Sequence, residues 1–148
     1  MECEFEDCNL TLAKIDDCGF KDVMFKDCKM LGIKFNRANT FLLQLHFERC
    51  HLAESSFYQL NLKRSSFQSC NLEGVDFSET SLENSSVIQC KLSDAIFDRT
   101  NLQGANLTGS YDFQIDPEKN KVFQAKFSKD TLSGLLHKYN LRVDNQIV

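Results

Sequence analysis

Large apolar residues recur at every fifth position along most of the chain, and mostly polar residues separate them. Residues 70–74 form a typical unit with Leu72 at the centre, and residues 105–109 repeat it around Leu107. An α-helix would need a period of about 3.6 residues and a long strand a period of about 2. Short faces joined by tight corners would instead turn every central residue inward. The period therefore predicts a solenoid, a rod of stacked coils.

Cysteines give the length of one coil. Five of them are separated by 20, 22, 20 and 20 residues, so one coil holds four units of five residues. These cysteines are Cys8, Cys28, Cys50, Cys70 and Cys90. The four predicted inward columns are Phe5, Phe25, Phe47, Phe67, Val87 and Leu107, then Leu10, Met30, Leu52, Leu72 and Leu92, then Ile15, Phe35, Phe57, Phe77 and Phe97, and finally Phe20, Leu42, Leu62, Leu82 and Leu102.

The columns slip by two residues in the second coil, since Phe25 and Phe47 are 22 residues apart. We expect residues 36–41 to bulge from one corner and to turn Phe41 and Leu43 toward solvent. Either the bulge is packed locally and has no further role, or it is a contact patch for a partner. Tyr58 is a further candidate contact.

Asparagine often stands directly before a central leucine. The residues at this position are Asn9, Asn61, Asn71, Asn101 and Asn106. Asparagine side chains hydrogen-bond to nearby backbone where a chain turns. We therefore expect these side chains to stabilise the corners.

The unit at residues 105–109 also has the sequence order Ala, Asn, Leu, which is the order typical of pentapeptide-repeat proteins. The chain resembles that family from residue 3 to residue 109. The resemblance implies an all-β fold, a right-handed quadrilateral parallel β-helix. The handedness and the square cross-section come from the resemblance, because periodicity alone does not fix them.

The repeats weaken after Gly109, although Val122 and Phe127 keep the five-residue phase. Residues 110–127 are therefore predicted to form an irregular last coil that closes the core. We expect the β-helix to extend over residues 1–127.

Residues 128–139 change to helical spacing, with Ser128 or Asp130 as the N-cap. Residues 141–143 alternate as a strand would. We expect residues 128–148 to form a capping α-helix and a tail. A helix this short is unstable alone, so it must pack on a neighbour.

This ending resembles that of the quinolone-resistance (Qnr-type) pentapeptide proteins. The resemblance implies a homodimer joined end to end through the cap. The residues that would form the interface are Leu132, Leu135, Leu136, Tyr139, Leu141 and Val143. A monomeric cap would use the same apolar residues, because a solenoid end must be covered in either case.

The residues that could carry chemistry have structural explanations. The aligned cysteines occupy small inward positions, as do Cys3 and Cys18 in other columns, and free cysteine packs as a small hydrophobe. The odd number of cysteines and a reducing compartment favour thiols over disulfides. The short ligand spacings of zinc sites are absent from the sequence, and His46 and His51 are expected on the surface. We expect no enzyme activity, no metal and no cofactor.

Acidic residues concentrate at the beginning of the chain. The net charge is −4, from 21 Asp and Glu against 17 Lys and Arg. Residues 1–32 carry a net charge of −4, residues 33–109 one of −1, and residues 110–148 one of +1. The acidic candidates for partner contact are Glu4, Glu6, Asp7, Asp16 and Asp17.

Two functions compete on these observations. The first is a non-enzymatic protein-interaction scaffold whose partner the sequence does not identify. The alternative, implied by the resemblance to Qnr-type proteins, is a DNA mimic that binds DNA gyrase or topoisomerase IV and modulates quinolone sensitivity. A negative rod would be steered toward a basic DNA-binding surface, but Arg37 and residues 63–64 interrupt the acidic surface beyond the first coils.

Composition also bears on location and on nucleic acids. No segment has the length and apolarity of a membrane span, and no basic-then-apolar leader follows Met1. We therefore expect a cytoplasmic protein without membrane association. No basic stripe with interleaved aromatic residues is present in the sequence, so we expect no direct nucleic-acid binding.

Overall fold

Each turn of the chain adds one parallel strand to a single sheet. A computed structural model describes residues 3–144, and both residues 1–2 and the end of the predicted tail lie outside the described residues. The strands are β1 (Cys3–Glu6), β2 (Val23–Lys26), β3 (Leu45–Glu48), β4 (Ser66–Gln68), β5 (Ser86–Ile88), β6 (Asn106–Leu107) and β7 (Lys126–Phe127). Each strand pairs in parallel with the next strand along the chain. The predicted right-handed, four-sided parallel β-helix is confirmed.

The rod has four faces, which we number in chain order from the face that holds the strands. Isolated bridges connect the coils on the other faces: Lys29 to His51 on face 2, Lys34 to Ser56 on face 3, and Asn61 to Ser81 on face 4. Because one coil passes through each face once, faces 1 and 3 lie on opposite sides of the rod.

Tight turns with one left-handed residue form many of the corners. The N–H of Ser55 donates to the carbonyl oxygen of Leu52 at 3.1 Å, and Glu54, the third residue of that turn, has φ +63°. A positive φ at the third residue alone is the mark of a type II turn. Nineteen non-glycine residues between 3 and 144 have positive φ, and none of them is Val, Ile or Thr. The last position of each unit therefore excludes β-branched residues, which are most strained there.

The asparagines before central leucines support these turns as predicted. Asn71 Oδ1 accepts a hydrogen bond from the N–H of Glu73 at 3.0 Å, and Asn101 Oδ1 accepts one from the N–H of Gln103 at 3.0 Å. Equivalent bonds are made by Asn9, Asn61 and Asn106. Each asparagine side chain thus stabilises the turn that begins at the leucine after it.

Two stacks of phenylalanine rings fill the core. On face 1 the rings of Phe25, Phe47 and Phe67 stack with centroids 5.3 and 5.1 Å apart. On face 3 the rings of Phe57 and Phe77 stack at 5.5 Å. The stacks meet edge to face, because the Phe67 ring lies 5.4 Å from that of Phe57 and 5.8 Å from that of Phe77. The rings of Phe47 and Phe57 therefore each contact rings above, below and across the core.

The small inward position of a unit, two residues before its centre, serves the buried backbone. Thr80 Oγ1 donates to the carbonyl oxygen of Phe57 at 2.8 Å, and Cys50 Sγ donates to that of Phe25 at 3.2 Å. Both acceptors belong to the preceding coil. Hydroxyl and thiol groups at this position are therefore satisfied in the core by backbone carbonyl groups of the preceding coil.

The cysteines divide into buried and accessible thiols. Cys28, Cys50, Cys70 and Cys90 are buried as predicted, whereas Cys3 and Cys8 are half-buried. Burial raises the pKa of the Cys28 thiol, and a hydrogen bond with the Cys70 thiol together with burial raises that of Cys50. The inward assignment of Cys18 is wrong because this thiol is exposed. Cys18 belongs to the first coil, which has a neighbouring coil on one side alone within residues 3–144.

The two inserted residues lie later in the chain than predicted. Asn39 pairs with Gly19 at the ordinary spacing of 20 residues, so Thr40 takes the fourth-column position in the second coil. Leu42 has φ +55° and is 65% exposed, which places it at the last position of that unit. The inward assignment of Leu42 is therefore wrong. The apolar pattern pointed to Leu42, whereas the register gives the column position to Thr40, which is itself exposed.

The predicted bulge is also smaller than residues 36–41. Phe35–Arg37 form a turn of 3₁₀ helix and Ala38 is buried. Phe41 is 65% exposed, as predicted. Leu43 is half-buried against the core instead of facing solvent, because the chain turns back after Thr40 on its way to β3.

The segment after the last coil is helical but differs in type from the prediction. Lys129–Leu135 and His137–Tyr139 are 3₁₀ helices, not an α-helix. Gly134 lies directly over the ring of Phe113, where a Cβ atom would come within 2.5 Å of the ring, and its carbonyl oxygen accepts the N–H of Ile115. This close approach requires glycine at position 134, and glycine disfavours an α-helix.

Ser128 stands at the predicted N-cap position but caps no helix N–H with its side chain. Its Oγ accepts the N–H of Gly109 at 2.8 Å instead. Ser128 therefore ties the start of the cap to the preceding coil.

The Phe67 ring offers the most direct test of the core. We expect Phe67→Ala to lower the free energy of unfolding by about 3 to 5 kcal/mol, because it opens a cavity between two ring stacks. Chemical denaturation followed by circular dichroism measures this change. Phe41→Ala removes an exposed ring and should change the free energy by less than about 0.5 kcal/mol. A loss below about 1 kcal/mol for Phe67→Ala would contradict its place in the core.

Thiol labelling tests the division of the cysteines. In the native protein we expect Cys18 to react first with a thiol reagent and the four buried cysteines to react only after unfolding, because the attacking species is an accessible thiolate. Mass spectrometry of tryptic peptides identifies the labelled residue. Cys18→Ser should remove the fastest phase, and rapid labelling of Cys50 or Cys70 would show that the coils open.

Candidate interaction surfaces

The five candidate carboxylates of the first coil lie on two opposite sides of the rod. Glu4 and Glu6 alternate outward along β1, and Asp7 follows the strand. Asp16 and Asp17 lie on face 3, after the central residue of that face. All five residues are exposed. The structure therefore divides the acidic candidates between two small patches.

Basic side chains of the second and third coils pair with carboxylates of the preceding coil on face 1. Lys26 Nζ lies 3.3 Å from Glu4 Oε1. Arg49 binds Asp27 through Nε at 2.8 Å and Nη2 at 3.0 Å. This hydrogen bonding lowers the pKa of the Asp27 carboxyl and raises the pKa of Arg49. The negative charge of Asp27 is therefore largely balanced one coil beyond the acidic patch.

The candidate aromatic contacts do not form one surface. Phe41 and Leu42 project from the corner after face 4, where Lys21 Nζ lies 5.0 Å from the centroid of the Phe41 ring. Tyr58 projects from the corner after face 3, and its hydroxyl donates to Glu79 Oε2 at 2.8 Å. The Glu79 carboxylate raises the pKa of Tyr58. Phe41 and Tyr58 are thus separate features of the surface.

The cap presents the largest group of exposed apolar residues. Five of them have exposed fractions between 39% and 59%: Leu132, Leu136, Tyr139, Leu141 and Val143. Leu135, also a candidate interface residue, packs partly against the core instead. The structure therefore leaves five of the six candidates exposed on the cap.

A groove of about 620 Å³ runs between the cap and face 2. Tyr111 and Asp112 form one side, and Leu136, Leu141 and Val143 form the other. Sequence patterns could not predict this groove, since its two sides come from the last coil and from the segment that folds back over it.

Two carboxylates hold the cap to the last coil. Lys138 Nζ lies 3.1 Å from Asp116 Oδ1 and also binds Glu118. The backbone N–H of Glu118, together with Lys138, lowers the pKa of the Asp116 carboxyl. The carboxylates of Glu118 and Asp116 in turn raise the pKa of Lys138. This ion-paired cluster sets where the cap lies on the last coil.

A row of hydrogen-bonded side chains crosses three coils on face 1, and sequence reasoning missed it. His46 Nδ1 lies 2.7 Å from Ser66 Oγ, and His46 Nε2 lies 3.3 Å from Asp22 Oδ1. The order of groups matches that of a serine hydrolase triad. Such a triad also needs donors that stabilise an oxyanion in a water-excluded site, whereas these side chains stand on the outer surface of the sheet. The row is therefore best explained as a ladder that joins neighbouring coils.

Neither a metal-binding cluster nor a membrane-spanning helix is present within residues 3–144. Within residues 3–144, no group of three or more His, Cys, Asp or Glu side chains is arranged to hold a metal ion. No helix in the same range is long and apolar enough to cross a membrane.

Solved structures similar to this chain include repeat proteins from several sources. Full-length QnrB1, described as a plasmid-mediated fluoroquinolone resistance protein, is 13% identical and matches 93% of this chain and 100% of its own, with a TM-score of 0.40. Rfr23 from the cyanobacterium Cyanothece 51142 is 22% identical over 86% of this chain and 89% of its own, with a TM-score of 0.29. A pentapeptide repeat protein of the Arabidopsis thaliana thylakoid lumen is 14% identical over 77% and 64%, with a TM-score of 0.30.

The sequence comparison is more decisive. No curated protein matches the chain significantly. The family model described as the pentapeptide repeat region matches residues 1–77 and 41–111, which together span more than half of the chain. This chain therefore belongs to the pentapeptide-repeat family.

Proposed function

We propose that this protein is a non-enzymatic scaffold that binds other proteins, and that two copies join through their C-terminal caps. The observation that supports the joining of two copies is the apolar outer surface of the cap. Leu132, Tyr139 and Leu141 are among its exposed side chains. Apolar side chains gathered on one surface are typical of protein–protein contacts.

The structure of the cap favours a second copy as its partner. Lys129–Leu135 is long for a 3₁₀ helix, which usually runs for only three or four residues. Leu135 and Gly134 face the core, while Leu132 and Leu136 face outward. Burial of the outer side chains would stabilise this helix. A two-fold axis would place the same patch of each copy against the other.

The assembly can be tested by a pair of charge substitutions. We expect sedimentation equilibrium to give twice the 17.0 kDa mass of one chain. Leu132→Glu with Leu141→Glu should give the monomer mass, because burying an unpaired carboxylate in an interface is costly. Phe41→Glu adds a charge at an exposed residue outside the cap and should leave the dimer intact. A monomer at high concentration, or a dimer that survives both cap substitutions, would refute the proposed interface.

A second candidate function is mimicry of DNA toward DNA gyrase or topoisomerase IV, with an effect on quinolone sensitivity. The observation in its favour is the exposure of the first-coil carboxylates, which a basic DNA-binding surface would attract. The opposing observations are their division between faces 1 and 3, the pairing of Glu4 with Lys26, and the pairing of the next carboxylate on face 1, Asp27, with Arg49. We therefore place mimicry behind the scaffold role.

A supercoiling assay separates the two functions. If the protein is a DNA mimic, it should inhibit gyrase or protect it from a quinolone at micromolar concentration, and added salt should weaken the effect. Charge reversal of the acidic candidates should abolish it. These are Glu4, Glu6, Asp7, Asp16 and Asp17.

Two partial variants show which face acts. One reverses Glu4, Glu6 and Asp7 on face 1, and the other reverses Asp16 and Asp17 on face 3. An unchanged supercoiling rate with the unmodified protein would exclude mimicry and leave the scaffold role.

A further inference from the structure

The first coil leaves one edge of the sheet open. Within residues 3–144, β1 pairs with β2 on one side and with no strand on the other. An open edge carries N–H and C=O groups that readily pair with an added strand. What such a strand would need can be determined from the coils that follow, because each of them already has a neighbour on both sides.

One backbone carbonyl of β1 lacks the N–H partner that its counterparts have. The carbonyl oxygen of Lys26 accepts the N–H of Asp7 at 3.1 Å, and that of Glu48 accepts the N–H of Asp27 at 2.9 Å. Glu6 occupies the same position in the first coil, since it pairs in register with Lys26. Its carbonyl oxygen accepts the Cys8 thiol at 3.4 Å, but no preceding coil lies within residues 3–144 to donate the equivalent N–H. An added strand could donate this hydrogen bond.

The ring stack on face 1 is also open at this end. Phe5 stacks on Phe25 with centroids 5.1 Å apart and planes 13° apart. Phe25 has a ring on both sides and is 2% exposed, whereas Phe5 is 38% exposed. The free side of Phe5 therefore matches an aromatic side chain on the added strand. Stacked aromatic pairs contribute beyond the area that they bury.

The charges on the outer surface alternate from coil to coil. Glu6 lies opposite Lys26 in the strand register, and Lys26 lies opposite Glu48. Opposite charges on neighbouring strands stabilise a sheet, and like charges destabilise it. The residue opposite Glu6 on an added strand should therefore be basic. Glu4, two residues away on the same outer side, favours a second basic residue.

We propose that the open edge of β1 binds an extended segment of a partner protein with the order basic, aromatic, basic. The aromatic residue lies over Phe5, and the basic residues lie opposite Glu4 and Glu6. The inference builds on the proposed scaffold role and names a surface and a partner class for it. Because the motif reads the same in both directions, it fits parallel and antiparallel pairing.

A second copy of this chain is a poorer occupant of the edge. Two first coils meeting head to head would bring Glu4 and Glu6 of one copy toward the same residues of the other. Such like-charge pairs oppose association. A basic segment from another protein removes this repulsion, and strand addition is a common mode of peptide recognition.

The test is a binding measurement with short fluorescein-labelled peptides centred on Lys-Phe-Lys, Lys-Ser-Lys and Glu-Phe-Glu. Fluorescence anisotropy should show that the unmodified protein prefers Lys-Phe-Lys to both others. Glu4→Lys with Glu6→Lys should weaken Lys-Phe-Lys binding about tenfold or more and strengthen Glu-Phe-Glu binding, because the pairing of charges is reversed.

Asp16→Lys with Asp17→Lys is the matched control, since it makes the same change in net charge on the opposite face. This variant should bind Lys-Phe-Lys within about twofold of the unmodified protein, because exposed charges beyond a Debye length are largely screened. Hydrogen exchange should also show that the peptide protects the backbone N–H groups of β1. Circular dichroism confirms that both variants are folded.

Three outcomes would overturn the inference. They are equal weakening by the two charge variants, no preference for Lys-Phe-Lys over Lys-Ser-Lys, and unchanged exchange in β1. If the peptide does not bind but the cap still forms a dimer, the edge inference fails and the scaffold proposal stands. If the peptide binds but the protein is monomeric, the cap interface fails and the edge inference stands.

Discussion

Hydrogen bonding between successive coils is the constraint on which the rest of this structure depends. Each coil donates to and accepts from its neighbours at fixed positions, as the N–H of Asp27 does with the carbonyl oxygen of Glu48. Coils of equal length are the simplest way to keep these positions aligned. The 20-residue spacing of the cysteines follows from this, and so does the alignment of Phe47 over Phe67. The ring stacks are therefore a consequence of backbone register as much as of side-chain packing.

The same constraint places the open bonding groups at the ends of the rod. Along the faces, each coil satisfies its neighbours, and the outer side chains form ladders such as His46 with Ser66. At the first coil Phe5 and the backbone of β1 have a free side within the described residues, and at the other end the cap covers Phe113 but exposes Leu132. A rod of this kind therefore has its least satisfied surfaces where another protein can be added. This favours binding at the ends over binding along the faces.

The sequence predicted the fold better than it predicted the surfaces. A five-residue period identifies inward positions because one large side chain per unit suffices to fill the core. Phe57 and Phe77 are buried at the inward positions that this period predicts. It failed at Leu42 because a period gives the size of an insertion but not its place, which the pairing of Asn39 decides.

Surfaces depend on contacts between residues far apart in the chain. The row through Asp22, His46 and Ser66 is visible only once the register across the insertion is known. The groove beside the cap likewise depends on how residues 128–144 fold back over the last coil. The apolar residues of the cap helix were predictable from helical spacing, but the close contact between Gly134 and Phe113 was not. Local sequence patterns carry no information about such contacts.

The distribution of charge decides how the acidic first coil can act. Screening at physiological salt limits interactions between exposed charges to about 8 Å, so the carboxylates on faces 1 and 3 act largely independently. A mimic of duplex DNA needs a long continuous negative field, whereas Lys26 and Arg49 balance the carboxylates of Glu4 and Asp27 across neighbouring coils. Charges paired in strand register act at short range and distinguish one neighbouring strand from another. The acidic residues of β1 are therefore better suited to select a strand than to imitate a nucleic acid.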